Sequence, residues 1–549
     1  MKIGLISIDS KYIHTNLAIR YLKANLSYPS TLVEFTIKDS IESMMNQLTN
    51  ESFDVIGFSV YLWNVTIVKE LTSRLKALKP VIIVYGGPEV SYDADYYLTN
   101  TLVDYIICGE GELAFNRLIQ SIQTNSPLSG LANLAYRNNG IHQNPIIPIE
   151  PLNQLKSPYD WMTPEAIKSK IQYVELSRGC PFHCAYCLAS LENSVRFFDL
   201  DTVKKTLISL MSQGAKVFKF LDRTFNYNMK IALDLFDFLI ANHQENTVFQ
   251  FEITGDLLPE AIIDHLNRYA PKGLFRFEIG IQSTHERTNE LVDRHQNNEK
   301  LFRTIQKIIE GNVIDLHLDL IAGLPDEDLN RFKLSFDTVF SLYAKELQLG
   351  FLKMLRGTKL RRNAPLFDYR YDENPPYEMI QNHVLSPLNV NEIHITESIL
   401  ELFWNKGFMN ASYQWLTQQV KSPFDFMNAF GHELLDNGFD FHRYQLVDCF
   451  TRIDAYVKIT LPDHYAIFHD LLVMDYLRYA HIKPQVWWKP VLSKADKNEV
   501  LRRYHVIHSN ERIDDLYKYG IVVERRNDYL IGLYYPHRTI IDTLDKETV

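Results

Sequence analysis

Three of the five cysteines in this 549-residue chain fall within eight positions, in Ser177-Arg178-Gly179-Cys180-Pro181-Phe182-His183-Cys184-Ala185-Tyr186-Cys187, with the spacing C-x3-C-x2-C. An odd number of thiols so close together makes a poor disulfide framework, because tight spacing strains most pairings. The spacing favours a metal. Structural zinc would require a fourth donor, whereas an iron–sulfur cluster on three thiolates keeps one iron open for a substrate or cofactor. Cys108 and Cys449 stand apart and read as small buried hydrophobes.

Other residues able to do chemistry sit at the ends of short apolar runs. Before the cysteines these are Ser59-Val60-Tyr61-Leu62-Trp63-Asn64, Gly86-Gly87-Pro88-Glu89 and Gly109-Glu110-Gly111-Glu112. Small residues there let a backbone approach a large ligand closely. After the cysteines the run ends are Asp222-Arg223, Thr254-Gly255-Asp256, Gln282-Ser283 and Gly323-Leu324-Pro325-Asp326.

The runs have the spacing of α/β folds. In residues 1–145, nearly continuous apolar, β-branched segments at 2–8, 32–37, 54–60, 81–85 and 105–108 alternate with amphipathic stretches at 16–24, 41–48, 65–78 and 112–123. That pattern predicts a doubly wound, five-stranded Rossmann-like sheet covered on both faces, with ligands beyond its carboxyl edge. A proline-punctuated connector follows. In residues 146–372, strands are predicted at 172–177, 216–222, 248–254, 274–282, 315–322 and 346–353, with helices at 202–212, 230–242, 298–310 and 329–342 between them. This describes an open (β/α)6 partial TIM barrel whose first loop carries the cysteines and whose function collects at the carboxyl ends of its strands. Residues 373–549 read as a mainly helical domain with a short terminal hairpin at 520–535. The aromatics there, among them Trp404, Tyr413, Trp415, Trp487, Trp488, Tyr534 and Tyr535, suit a core better than a pocket-covering surface, and the basic stretch 494–503 suits a solvated helix face.

The formal charge of −10 argues against a general nucleic-acid binder. No apolar run approaches the ~20 residues of a spanning helix, and residues 1–7 read as a first strand rather than a signal peptide. We therefore expect a cytoplasmic protein without nucleic-acid or membrane partners.

The cysteine spacing, with an aromatic before the last thiol, resembles the radical S-adenosylmethionine (SAM) superfamily. By that resemblance Cys180, Cys184 and Cys187 hold a [4Fe-4S] cluster that chelates SAM, with Tyr186 beside it. Phe277-Glu278-Ile279-Gly280-Ile281-Gln282-Ser283, Leu291-Val292-Asp293-Arg294 and Leu318-Asp319-Leu320-Ile321-Ala322-Gly323-Leu324-Pro325 resemble motifs of the subgroup containing oxygen-independent coproporphyrinogen oxidase and the methylthiotransferases. The resemblance makes Gln282, Arg294 and Asp319 SAM contacts, Arg294 pairing the methionyl carboxylate through its planar fork. Residues 220–226 resemble the second-strand region that holds the SAM amino group, which points to Asp222, although the glycine-rich form is missing.

Gly86-Gly87-Pro88-Glu89 and the run from Asp104 to Glu112 resemble the cobalamin-binding domain that precedes many radical SAM domains, which implies that Ser59, Gly86, Gly87, Gly109 and Gly111 line its cofactor groove. Asp9 and His14 do not complete D-x-H-x-x-G, so His14 is not assigned as a cobalt ligand, and the resemblance implies base-off cobalamin. It further implies a 5′-deoxyadenosyl radical that activates a C–H bond of a small-molecule or peptide substrate for methyl transfer, with a flavodoxin- or ferredoxin-type electron donor. A methylthiotransferase would need three more amino-terminal cysteines, where this chain has only Cys108, and lone Cys449 excludes a second cluster domain. Two rivals stand: a radical SAM enzyme whose amino-terminal domain is vestigial, and a non-catalytic iron–sulfur sensor.

Overall fold

A computed structural model gives the architecture and describes residues 1–192, 194–480, 483 and 485–547. The chain divides into two compact units: Met1–Leu329 with Leu349–Pro387, and Asn330–Gln348 with Leu388–Val549.

The first unit holds two parallel sheets. In the amino-terminal one, β1 (Ile3–Asp9), β2 (Ser30–Thr36), β3 (Val55–Ser59), β4 (Ile82–Gly86) and β5 (Tyr105–Ile107) lie in the order β2-β1-β3-β4-β5. Two layers cover it: Met44, Leu48, Val68, Leu71 and Leu75 pack on one face, and Ile19, Phe115, Leu118 and Ile119 on the other. That sandwiching explains the unbroken burial of β1 and β3, which have no solvent face to mark by alternation. The five predicted parallel strands are present. The sheet then continues with an antiparallel pair, β6 (Leu134–Arg137) and β7 (Ile141–Gln143), to seven strands in all. These are short: β6 has only three buried apolar residues and β7 is wholly exposed.

The second sheet is the open six-stranded partial barrel, with β8 (Gln172–Val174) at one edge. A two-residue antiparallel pair, β9 (Ser177–Arg178) with β10 (Arg196–Phe197), frames the cysteine loop. Then come β11 (Val217–Phe220), β12 (Val248–Glu252), β13 (Phe275–Gln282), β14 (Asp315–Ala322) and β15 (Glu346–Phe351), in the order β15-β14-β13-β12-β11-β8. Strict alternation sorts the side chains: Phe275, Phe277, Ile279 and Ile281 are buried, while Arg276, Glu278, Gly280 and Gln282 keep partial exposure. Phe218, Phe220, Phe249 and Phe251 continue the apolar set, with ring centroids 4.9 Å apart for Phe218–Phe249 and 4.7 Å for Phe220–Phe251.

The second unit is mainly helical. Pro387–Ile399 runs on into a π-helical turn at Leu400–Asn405, followed by Asn410–Thr417, Pro423–Asp436, Leu446–Thr460 and Pro462–Tyr479. Its aromatics form core: Trp404, Tyr413, Trp488 and Tyr534 are buried, and Trp404 Nε1 donates to the Ala344 carbonyl at 3.1 Å. The predicted terminal hairpin has a third strand, so that Gly520–Glu524, Asp528–Tyr535 and Arg538–Asp545 make one antiparallel sheet. Among the described residues no helix is long and apolar enough to cross a membrane.

Candidate functional site

The cysteine loop starts from the β9–β10 pair through Gly179, whose φ is +95°. A Cβ there would stand 2.0 Å from the Ser194 carbonyl oxygen, so glycine alone makes this turn. Barrel backbone holds the loop at two further points: Ala185 N–H donates to Val292 O and Leu360 N–H to Ala185 O, both at 2.8 Å. Cys180 and Cys184 are buried, and Cys187 lines a cavity. Burial pushes the thiols of Cys180 and Cys187 up; the Phe182 N–H and Thr224 hydroxyl oppose this at Cys180, and the Arg223 charge at Cys187. A coordinated cation would oppose this burial, since a thiol that ligates a metal is deprotonated.

A zinc ion needs all its donors about 2.0–2.3 Å from one centre. Three cysteines on one short loop, with no fourth thiol beside them, fit a multi-iron cluster, which spreads three thiolates over different irons and keeps a further iron open.

The cavity beside Cys187 measures about 920 Å³. The amino-terminal domain lines one wall through Asp9, His14, Asn16, Tyr61, Trp63, Gly87 and Gly109, and the barrel the other through Tyr173, Glu175, Tyr186, Lys219, Arg223 and Glu252. The carboxyl edges of both sheets thus open into one space. Tyr61 and Trp63 stack at 4.4 Å between centroids, with Trp63 Nε1 donating to the Ile8 carbonyl at 3.1 Å. Burial pushes the Asp9 carboxyl up to about 6, against hydrogen bonds from Asn16 and Ser7. His14 faces the cavity with Nδ1 2.7 Å from the Tyr173 hydroxyl, and burial, with Lys11 and Lys219, lowers its pKa. Below the barrel rim the lumen is polar: Lys219 Nζ and Gln250 Nε2 donate to Glu278 Oε2 at 3.0 and 2.8 Å, and His317 Nε2 stands 3.1 Å from Asp319 Oδ1.

A narrower groove of about 160 Å³ enters the amino-terminal sheet at its carboxyl edge, walled by Ser59, Gly86, Gly87, Gly109, Gly111 and Phe115. All five small residues named from the sequence meet there. Glu110 and Glu112 of the same loops also line this groove, whereas Glu89 turns elsewhere. Buried Glu89 accepts from the hydroxyls of Tyr97 and Tyr377, each at 2.5 Å.

The residues expected around SAM divide. Tyr186 lines the cavity, and Arg294 reaches its hydroxyl at 3.3 Å while also donating to Gln296 Oε1 at 2.8 Å and to the Gly280 carbonyl. Gln282 has a φ of +66° and a buried Oε1 that accepts from no protein donor. Asp319 sits in the lumen beside His317, its pKa raised by burial against the His317 contact.

Asp222 is placed differently. Lys219, Leu221 and Arg223 face the cavity, so Asp222, one residue out of step, points away from it. It accepts instead from Leu176 N–H at 3.0 Å and Ser177 Oγ at 2.5 Å, bracing the start of the cysteine loop. Burial pushes its carboxyl up to about 7, against those two hydrogen bonds. The folded state therefore holds a proton that the unfolded chain loses near 3.8, and this stabilisation is full below that pH and gone as the pH rises through about 7. Asp222→Asn should flatten this part of the denaturation profile, between the unfolded value of 3.8 and about 7. Asp222→Ala should destabilise at all pH values by about 1–3 kcal/mol per orphaned donor. Urea titrations across that range check both.

Arg223, Glu252, Lys219 and Glu175 are site residues that sequence reasoning did not select. A signal existed, because period-2 alternation groups Lys219 with Arg223 and Gln250 with Glu252, but only the packed phenylalanines say which parity faces inward.

Family comparisons agree with this geometry. A model described as the radical SAM superfamily matches residues 174–339 and one described as a B12 binding domain matches residues 4–119. The chain pairs a B12-binding domain with a radical SAM domain. With them come their cofactors, cobalamin for one and a [4Fe-4S] cluster with SAM for the other. A third model, described as a protein of unknown function (DUF4080), matches residues 366–521.

Among curated relatives, an uncharacterised methyltransferase of Pyrococcus horikoshii is 32% identical over 28% of this chain and 36% of its own length. The anaerobic magnesium-protoporphyrin IX monomethyl ester cyclase of Synechocystis is 26% identical over 46% of this chain and 52% of its own. The cobalamin-dependent radical SAM methyltransferase TokK of Streptomyces tokunonensis is 23% identical over 57% and 48%. The chain thus spans between about a third and about half of the length of these relatives. In fold it resembles the cobalamin-dependent SAM radical enzyme OxsB, solved with aqua-cobalamin, at a TM-score of 0.61 and 14% identity over 86% of this chain and 80% of that one.

Proposed function

We propose that the protein is a cobalamin-dependent radical SAM enzyme that activates a C–H bond of a small-molecule or peptide substrate and methylates that carbon. One observation carries the reading: the glycine-walled edge of the B12-binding sheet and the Cys187 face of the cysteine loop share a single cavity. When bound, the cluster and SAM supply a 5′-deoxyadenosyl radical and methylcobalamin supplies the methyl group. The chain's own work is to hold both cofactors against one substrate and exclude water.

In this reading Cys180, Cys184 and Cys187 ligate the cluster; Tyr186, Gln282, Arg294 and Asp319 surround SAM; and Ser59, Gly86, Gly87, Gly109 and Gly111 admit the cobalamin tail. Arg223 and Glu252 replace Asp222. They stand 3.7 Å apart on the cavity wall, a cation and an anion matched to the carboxylate and ammonium of the SAM amino-acid head. Arg223→Met should weaken SAM binding at least about tenfold, the worth of one charge-assisted contact, read from the SAM-induced change in the cluster's EPR spectrum. Residues 1–145, 146–372 and 373–549 would be the cobalamin-binding, radical SAM and family-specific domains of a cytoplasmic enzyme fed by a flavodoxin or ferredoxin.

The test is anaerobic purification with cobalamin supplied, followed by optical spectra and assay of 5′-deoxyadenosine and S-adenosylhomocysteine. All three signals are expected. A folded, cluster-loaded protein that takes up no cobalamin would leave a radical SAM enzyme with a vestigial first domain. Deoxyadenosine without S-adenosylhomocysteine would direct the search toward the chemistry named for the Synechocystis relative, a cyclase.

A further inference from the structure

Gly109-Glu110-Gly111-Glu112 looks from its composition like a ligand loop, yet its two carboxylates are directed at the cysteine loop. Arg178, two residues before Cys180, donates from one terminal nitrogen to Glu110 Oε1 at 3.0 Å. Its other terminal nitrogen reaches Glu112 Oε1 at 2.7 Å and Glu175 Oε2 at 2.9 Å, and Nε donates to Glu175 Oε1 at 3.1 Å. The guanidinium also lies over the rings of Tyr21 and Phe198, at 5.1 and 5.6 Å from their centroids. Arg196, paired with Arg178 across the β9–β10 bridge, closes the arrangement by donating to Glu110 Oε2 at 2.9 Å. All five charged side chains are largely buried, with exposures between 7% and 14%.

We propose that Glu110 and Glu112 are positioning residues: through Arg178 they set the cysteine loop at a fixed distance from the cobalamin groove, and so couple the two cofactors. This rests on the reading given above. Arg178 stands in the wall of both the groove and the larger cavity, where the two cofactor sites meet. Between Arg178 and the first thiol lies only Gly179, which packs closely against the Ser194 carbonyl, so the position of Arg178 bears directly on that of Cys180. Three carboxylates facing two guanidinium groups is a costly way to stabilise a junction, because desolvation cancels much of the attraction. A planar fork engaged by three carboxylates from two domains is, however, a stringent way to specify one geometry, and methyl and hydrogen transfer lose orders of magnitude from displacements of about 1 Å.

The test uses the anaerobically reconstituted holoenzyme and the variants Arg178→Met, which keeps the stem over Tyr21 and Phe198 but loses the fork, and Glu112→Gln, a neutral isostere. Pulsed EPR of the reduced cluster with cob(II)alamin reads the distance between the two centres. Alongside it, the rate of methylcobalamin formation from SAM is compared with that of 5′-deoxyadenosine. With the cluster reconstituted and cobalamin saturating, Arg178→Met should broaden the distance distribution and lower the methylcobalamin-to-deoxyadenosine ratio at least about tenfold, with Glu112→Gln changed less in the same direction. An unchanged distance and ratio would overturn the proposal. If the wild type binds no cobalamin, the functional reading fails while the clamp is still decided by hydrogen exchange of the apoprotein. The amides of residues 107–112 and 176–180 should lose protection together in either variant, and loss confined to one segment, or none, would again overturn it.

Discussion

Cys184→Ala is expected to leave a folded protein that holds no SAM-cleaving cluster: the iron–sulfur absorbance disappears and 5′-deoxyadenosine falls to background with any reductant. The fold should survive because the loop does not depend on the thiol. Its backbone is tied to the barrel by the Ala185–Val292 and Leu360–Ala185 hydrogen bonds and closed by the Cys187 N–H to Cys184 carbonyl bond at 3.0 Å. Replacing a buried thiol by a methyl group is an ordinary small core change, worth about 1 kcal/mol. Circular dichroism and a thermal melt within a few degrees of wild type establish the first half, and a product assay the second. Retained SAM cleavage would remove Cys184 from the ligand set, and with it the reading of this loop as the cluster site.

Gly86→Val should abolish cobalamin uptake while leaving SAM cleavage in place. Gly86 ends β4, paired to Ser59 and Ile107, and its carbonyl accepts from Val60 N–H at 2.7 Å. A Cβ there would meet Ile107 at 3.8 Å, an ordinary contact, so the strand accepts a side chain and a β-branched one suits it. The added methyl groups then occupy a groove of only about 160 Å³, and an overfilled site of this kind loses several kcal/mol, or about a hundredfold or more in affinity. Optical titration with hydroxocobalamin measures it. Neighbouring Gly87 gives no such test, because its φ is +118° and a Cβ would lie 2.5 Å from the Val60 carbonyl oxygen, so substitution there damages the fold itself. Unchanged affinity in Gly86→Val would place the tail elsewhere.

Cys184→Ala and Gly86→Val address residues that are legible in the sequence for a common reason. The cysteine loop and the glycine-walled groove are local: their spacing and small size are properties of a few consecutive residues, and the strands that carry them announce themselves by apolar runs. Other residues are not local. Glu89 reads as part of a ligand loop until Tyr377, 288 positions away, donates to it. Arg294 reads as a free carboxylate partner until Tyr186, 108 positions earlier, is found against it.

By itself the sequence determined the order of the parallel strands of the B12-binding sheet and the barrel, the cysteine loop, and the small residues lining the groove, because hydrophobic periodicity and short-range spacing encode all of these. Tertiary structure alone decided which parity of each barrel strand faces inward, so that Arg223 and not Asp222 meets the cavity. It also decided where the carboxylates of Gly109-Glu110-Gly111-Glu112 are directed, since Glu110 and Arg178 are 68 residues apart in the chain and become partners only when the two sheets open onto one space. Alternation tells a strand's two faces apart, but only the packing of its neighbours says which of them is inside.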